Sequence, residues 1–113
     1  MSVTLLDVTR MMEQAGQDSV LARELTDVFL DTSDALVSDI EKALLNSNWP
    51  ELARASHTLK SPFGFFGADE SVKVAQSIET QADAENDSDL TEQVSLLRQN
   101  VEQLQAELRQ FFG

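Results

Sequence analysis

The sequence predicts an all-α fold, namely an antiparallel up-down four-helix bundle with an additional short N-terminal helix. Apolar residues recur at steps of three and four in almost every window, which is the spacing of amphipathic helices. Only 4 glycines and 2 prolines occur, and hardly any segment alternates as a β-strand does. Because short polar turns typically join antiparallel neighbours, we predict a single bundle domain spanning residues 1–113.

The predicted N-terminal helix runs from residue 4 to residue 15 and covers the bundle as a lid. Leu5, Val8 and Met12 share its apolar face. Gly16 is expected to end this helix, because glycine tolerates the left-handed conformation that follows a helix C-terminus.

A longer second helix is predicted to begin after Asp18, whose carboxylate can cap the first turn, and to end at Asn46–Asn48. Its apolar residues form one continuous stripe that we expect to face the core. The stripe consists of Leu21, Leu25, Val28, Phe29, Thr32, Leu36, Ile40 and Leu44.

The third helix is predicted to begin at Asn48 in a capping box with Glu51, and Pro50 fits its first turn. Two further helices follow, separated by the polar run Glu85–Asp89. The fourth is marked by Ala68, Val72, Ala75, Ile78 and Ala82. The fifth is marked by Leu90, Val94, Leu97, Val101, Leu104, Leu108 and Phe111, in the alternating steps of four and three that are typical of a bundle seam.

Composition limits the chemistry that the chain can perform. The absence of cysteine excludes disulfides and thiolate ligands, and a single histidine leaves little for a metal site, so we predict neither metal nor cofactor. A net charge of -12 repels nucleic acid and anionic lipid headgroups, which favours protein partners.

No stretch approaches the roughly 20 apolar residues that span a bilayer, and the N-terminus shows no secretory signal. We therefore expect a cytoplasmic monomer without membrane insertion.

The surface of the third helix around the only histidine, His57, is unusual. At about 100° per residue, His57 lies nearly opposite the predicted core face of Leu52, Ala55, Leu59, Phe63 and Phe66. Its neighbours on the solvent side are small apart from one lysine: Ala53, Lys60, Ser61, Gly64 and Ala68. A glycine inside a helix costs about 0.5–1 kcal/mol relative to alanine, so Gly64 indicates close approach by another protein. A second interpretation is that Gly64 and Gly67 mark the end of the helix after Pro62.

These residue types suit a phosphoryl carrier. Imidazole is nucleophilic and partly neutral at pH 7, and Lys60, one turn after His57, can offset the charge of a phosphoryl group. The chain has no glycine-rich phosphate loop, no kinase motif and no credible Ser-His-Asp arrangement. We therefore predict a phosphocarrier rather than an autonomous enzyme, with Mg²⁺ supplied by the acidic cluster of its partner.

The segment His57–Ala68 reads H-T-L-K-S-P-F-G-F-F-G-A. It resembles the motif of the histidine phosphotransfer (HPt) family of two-component phosphorelays, His-x-Leu-Lys-Gly-Ser followed by small residues and Gly-Ala. The resemblance implies that His57 is the phosphoacceptor, through the ring nitrogen farther from the backbone, and that Lys60 steadies the phosphoryl group. It implies that the partners are response-regulator receiver domains and a hybrid sensor histidine kinase.

Other site residues also follow from the resemblance. Gly67 would let the third helix end or pack closely, and Gln76 and Glu79 lie where family members place polar residues near the histidine. Independently of the resemblance, the exposed surface around His57 leads us to expect contact with partners at Ala53, Gly64, Phe65, Gly67 and Ala68.

The motif departs from the family pattern at two positions. Ser61 replaces the usual glycine, and its hydroxyl can bond the His57 ring or a phosphoryl oxygen. Pro62 replaces the usual serine and removes the helical donor to the Thr58 carbonyl. We hypothesise that the resulting kink tunes the choice of partner.

Two alternative functions stay open at this point. The chain could be the phosphoacceptor domain of a chemotaxis-type histidine kinase, for which ATP and a separate catalytic domain supply the phosphoryl group. It could also be a non-catalytic helical adaptor that binds through its acidic surface or through the seam from Leu90 to Phe111, with Phe111 and Phe112 promoting self-association.

Overall fold

The computed structural model describes residues 3–113, and this part of the chain is helical without any β-strand. Its helices are α1 (Val8–Gln14), α2 (Ser19–Leu45), α3 (Trp49–Phe65), α4 (Asp69–Asp83) and α5 (Leu90–Phe112). The four long helices close into a bundle, because α2 and α4 each pack on both α3 and α5, while α1 lies on α2 and α3. The predicted fold class is confirmed. None of the helices in residues 3–113 is both long and apolar enough to cross a lipid bilayer.

Helix α1 is shorter than predicted because the chain enters it through an extended segment. Asp7 caps the helix by accepting the backbone N–H of Arg10 at 3.0 Å. The backbone N–H groups of Leu5 and Leu6 donate to the carboxylate of Glu107 on α5. These bonds satisfy the backbone outside a helix, so the prediction of a helix from residue 4 was wrong.

The boundary between α1 and α2 follows the predicted pattern. Gly16 adopts a left-handed φ of 65°, and the Asp18 carboxylate accepts two N–H groups of the first turn of α2 at 3.0 and 3.1 Å. The predicted inner face of α1 is correct only in part. Leu5 and Met12 are partly buried against the core, but Val8 is exposed, and Met11 is the residue that the helix buries fully.

The buried face of α2 also differs from the predicted stripe. Phe29 and Ile40 are buried as expected, but Leu21, Leu25 and Val28 are 38%, 38% and 57% exposed. The residues that α2 buries are mostly small: Ala22, Thr26, Phe29, Ser33, Val37, Ile40 and Ala43. Small side chains let neighbouring helices approach closely, so the larger side chains beside them lie at the rim of the bundle.

The core faces of α3 and α5 are largely as predicted. All five predicted core residues of α3 are at most 1% exposed: Leu52, Ala55, Leu59, Phe63 and Phe66. The α5 seam is buried from Leu90 to Leu108, and only Phe111, at 47% exposure, leaves it. The seam therefore packs inside the bundle rather than on a second chain. On α4, Ala75, Ile78 and Ala82 are buried, while Val72 is only partly buried.

The two ends of α3 correct two predictions. Asn48 accepts the backbone N–H of Glu51, but the Glu51 carboxylate binds Arg54, so only half of the capping box forms. The helix continues through Pro62 and Gly64 to Phe65, so the interpretation that Gly64 marks its end was wrong, whereas Gly67, with a left-handed φ of 73°, does follow the C-terminus of the helix as that interpretation predicted.

Gly67 lies in the turn between α3 and α4 and explains how α1 docks there. It has a φ of 73°, and a Cβ at this position would lie 2.5 Å from the Cβ of Asp7. The backbone N–H of Asp7 donates to the Phe66 carbonyl at 2.9 Å. The N-terminus of α1 is therefore packed tightly on the turn that sets α4 against α3.

Candidate functional site

The interface between α3 and α4 brings His57 next to Glu79. Small residues line this interface, since Ser56 on α3 and Ser71 and Ala75 on α4 are fully buried. His57 Nδ1 lies 2.9 Å from Glu79 Oε2. The His57 side chain is 65% exposed and the Glu79 side chain 18% exposed. A largely buried carboxylate therefore contacts one nitrogen of a largely accessible imidazole ring.

Lys60 joins the same group, which we call the histidine cluster: His57, Lys60, Gln76 and Glu79. Its Nζ lies 2.7 Å from Glu79 Oε1 and donates to Gln76 Oε1, also at 2.7 Å. The Lys60 ammonium is therefore shared between the Gln76 amide oxygen and the Glu79 carboxylate. Gln76 in turn donates to the Thr80 hydroxyl at 3.1 Å, which orients its amide oxygen toward the lysine.

The contact with Lys60 favours the ionised form of Glu79. The ammonium holds the pKa of the Glu79 carboxyl below its usual value, against the opposing effect of burial, and His57 acts in the same direction as Lys60. An ionised carboxylate can only accept hydrogen bonds, so Nδ1 of a neutral His57 ring must carry the proton that it shares with Glu79. The lone pair is then on Nε2, which gives the ring a defined nucleophilic nitrogen.

The remaining predicted site residues lie in different surroundings. Ser61 is exposed and lines a groove on the α2 side of His57, whereas Lys60 lies on the α4 side. Ala53 is only partly buried. Ala68 is 2% exposed, so the expectation that it contacts a partner was wrong: α3 ends before it, and the residue caps α4 instead.

The packing of the fold explains one of the two glycines near the histidine cluster, Gly67, but not the other, Gly64. Gly67 is required by the close approach of Asp7, so the fold itself accounts for this glycine without a partner contact. Gly64 lies inside α3, and a Cβ added there would have no atom within 4 Å. Internal packing therefore gives no reason for a glycine at position 64.

An apolar groove of about 320 Å³ lies between α2 and α3 on the α2 side of His57. It is lined by Leu25, Val28, Phe29, Thr32, Leu36, Thr58, Ser61, Pro62, Phe65 and Phe66. The sequence did not reveal this groove, because the α2 residues that line it were assigned to the core. A second row of small residues on α2, including Ala22, Ser33 and Ala43, was the available signal.

The arrangement offers an accessible imidazole with one nitrogen engaged, a neighbouring ammonium and an adjacent apolar surface. In residues 3–113, no group of three or more His, Cys, Asp or Glu side chains is placed to hold a metal ion. Such a site can accept a group on Nε2.

A helical bundle that presents one exposed histidine with a lysine one turn later defines the class of phosphotransfer modules. The chain belongs to the Hpt domain family, whose model matches residues 24–107. The family gives the protein a phosphotransfer role in two-component systems. Among solved structures, the HPT domain from the Hpt sensor hybrid histidine kinase from Shewanella has the same fold, with a TM-score of 0.85 and 21% identity over 97% of this chain and 95% of that chain. No curated protein sequence matches the chain.

Proposed function

We propose that this protein relays a phosphoryl group between receiver domains by carrying it on Nε2 of His57. The observation that carries the proposal is the 2.9 Å contact between Nδ1 and Glu79 in a ring that is otherwise 65% exposed. It leaves Nε2 as the nucleophilic nitrogen on an accessible side chain.

The transfer step needs no group from this chain beyond the histidine cluster. Nε2 attacks the phosphorus of an aspartyl phosphate on the donor, the Nε2–P bond forms, and the bond from phosphorus to the aspartate oxygen breaks. The aspartate leaves as a carboxylate, and the ring, which keeps its Nδ1 proton, becomes a phosphoimidazolium. Glu79 stabilises the positive charge that develops on the ring, and the reverse step delivers the phosphoryl group to the next receiver. Mg²⁺ would be held by the acidic cluster of the receiver.

Lys60 is a cation close to the added charge, because it contacts the same Glu79 carboxylate as His57. Its ammonium contacts both Glu79 and the neutral amide of Gln76. It can turn toward phosphoryl oxygens while Glu79 keeps its contact with His57. A charge-assisted hydrogen bond from Lys60 would then steady the phosphohistidine. Ser61, on the other side of the ring, supplies a hydroxyl one turn from His57.

The groove beside His57 is the surface on which we expect the receiver to dock. The groove comes close to the histidine at Thr58, which follows His57 directly, and at Ser61, one helical turn after it. Phe65 contributes part of its wall. Gly64 lies between this wall and Lys60 on the helix surface, and its missing side chain would let a partner backbone approach.

The proposal is tested by adding the protein to a panel of receiver domains that carry labelled phosphoryl groups. We expect label on the wild-type protein with an acid-labile, alkali-stable linkage, and none on His57→Gln. Transfer only from a kinase catalytic domain with ATP would instead identify a kinase phosphoacceptor domain. No transfer from either source to the folded protein would favour the adaptor. The cytoplasmic location and the monomeric state stay predictions.

A further inference from the structure

Arg54 flanks the phosphoacceptor on the side opposite Lys60. It precedes His57 by three positions on α3, and Lys60 follows by three. At about 100° per residue, the two cations lie roughly 60° to either side of the histidine. Lys60 is on the α4 side, and Arg54 is on the side of Ser61 and Phe65, which line the groove.

The two cations differ in what holds them. Lys60 is 21% exposed and is bound by Glu79 and Gln76 of the neighbouring helix. The Arg54 side chain is 55% exposed, and within residues 3–113 it forms an ion pair only with Glu51 of its own helix, with 2.5 Å between Nη2 and Oε1. A solvent-exposed pair within one helical turn adds little to stability, so the guanidinium can change partner easily.

The overall charge of the protein creates a need for such a cation. A chain with a net charge of -12 repels the acidic cluster that surrounds the phosphorylated aspartate of a receiver. Association then depends on local complementarity at the docking edge. A guanidinium presents a planar fork that matches carboxylate and phosphate oxygens.

We propose that Arg54 exchanges Glu51 for the anionic oxygens of the receiver's acidic phosphorylation site when the two proteins dock, while Lys60 stays with the histidine cluster. The inference rests on the proposed function. It assigns the two cations different tasks, since Arg54 selects and steers the acidic partner and Lys60 serves the phosphoryl group on His57. Arg54 is thus a specificity-determining residue on the side of α3 that also carries the groove residues Ser61 and Phe65.

The test compares Arg54→Gln with Arg109→Gln, which removes the same charge from the last turn of α5. The second-order rate constant of transfer from a phosphorylated receiver is measured at low and high ionic strength. We expect Arg54→Gln to slow transfer about three- to tenfold at low salt and the difference to close at high salt, as for a steering charge. Arg54→Lys should recover part of the loss, and Arg109→Gln should stay near the wild type.

Three results would separate the possibilities. Equal rate constants for Arg54→Gln and Arg109→Gln at both salt concentrations would overturn the inference. A changed lifetime of the isolated phosphohistidine in Arg54→Gln would also overturn it, because Arg54 would then act on the carrier's own phosphoryl group. No transfer to the wild type from any receiver would refute the proposed function itself.

Discussion

One carboxylate joins the proposed phosphoacceptor of this protein to its neighbouring cation: Glu79 Oε2 lies 2.9 Å from His57 Nδ1, and Glu79 Oε1 lies 2.7 Å from Lys60 Nζ. The carboxylate therefore responds to the charge on both partners. In the proposed mechanism, the ring becomes positive on phosphorylation, so the Glu79 contact should strengthen and leave Lys60 free to turn toward the phosphoryl oxygens. The relationship predicts that Glu79 affects reaction and tautomer more than it affects folding.

Replacing Glu79 with glutamine keeps a hydrogen-bond acceptor beside Nδ1 but removes the charge. A charged hydrogen bond contributes about 1 kcal/mol more than a neutral one, so we expect transfer to slow about five- to tenfold. Rate constants across pH and ¹⁵N NMR of the ring nitrogens would measure the effect. Glu70→Gln is the matched control, since Glu70 is exposed on the same helix and pairs with Lys73. An unchanged rate and tautomer in Glu79→Gln would contradict the account.

Replacing Lys60 with methionine should raise the pKa of the Glu79 carboxyl, because Lys60 is the main cause of its depression. A depressed pKa means that the ionised group stabilises the fold above its unfolded pKa, and this contribution is lost as pH falls through the depressed value. Lys60→Met should therefore reduce the free energy of unfolding at neutral pH more than in acid. A ¹³C NMR titration of the carboxyl groups measures the shift, with Lys73→Met as control. An equal Glu79 pKa in both variants would show that the ion pair has no such effect.

Replacing Gly64 with alanine separates folding from function. The added methyl group meets open space on α3, so we expect the free energy of unfolding to rise by about 0.5–1 kcal/mol. If a partner backbone approaches this position, the same methyl group should slow phosphoryl transfer. Thermal denaturation and transfer kinetics on one preparation would test both effects. A stabilised variant with wild-type transfer would show that no partner comes close to residue 64.

Replacing Gly67 with alanine should destabilise the fold by more than the same change at Gly16. Both glycines have left-handed φ values, of 73° and 65°, and each substitution costs about 1–2 kcal/mol for that conformation alone. Only at Gly67 would the new Cβ meet Asp7, so the difference in the free energy of unfolding measures the packing of α1 on the α3–α4 turn. Equal losses at the two positions would indicate that α1 can shift at no cost.

The sequence predicted best what depends on one helix at a time. The position of His57 opposite the five buried apolar residues of α3 follows from the helical period alone, and so does the seam of α5. The caps at Asp18 and Asn48 are local as well. These features required no knowledge of which helix packs on which.

The features that the sequence did not reveal depend on contacts between distant residues. The apolar stripe of α2 was assigned to the core because hydrophobicity does not tell which of two adjacent rows faces inward. Close packing through Ala22, Ser33 and Ala43 decides this, and it leaves Leu25 and Val28 at the rim of the groove. The extended start of the chain likewise depends on Glu107, which accepts its backbone N–H groups from about a hundred positions away in sequence. No pattern among the neighbouring residues indicates this contact.

Replacing Val28 with glutamate tests the groove as the docking surface. Val28 is 57% exposed, so the charge should change the free energy of unfolding by less than about 0.5 kcal/mol. It would nevertheless place a carboxylate in the apolar groove and should weaken receiver binding and slow transfer. Val20→Glu is the control, because Val20 is 66% exposed on the same helix and does not line the groove. Equal effects of the two substitutions would remove the groove from the docking surface.

The most direct test of the central claim is to identify the atom that carries the phosphoryl group. The protein, labelled with ¹⁵N at its single histidine, would be phosphorylated by a receiver and studied by ¹⁵N and ³¹P NMR. We expect phosphorus to be coupled to Nε2 of His57 while Nδ1 keeps its proton. Phosphorus coupled to Nδ1, or bound to another residue, would contradict it.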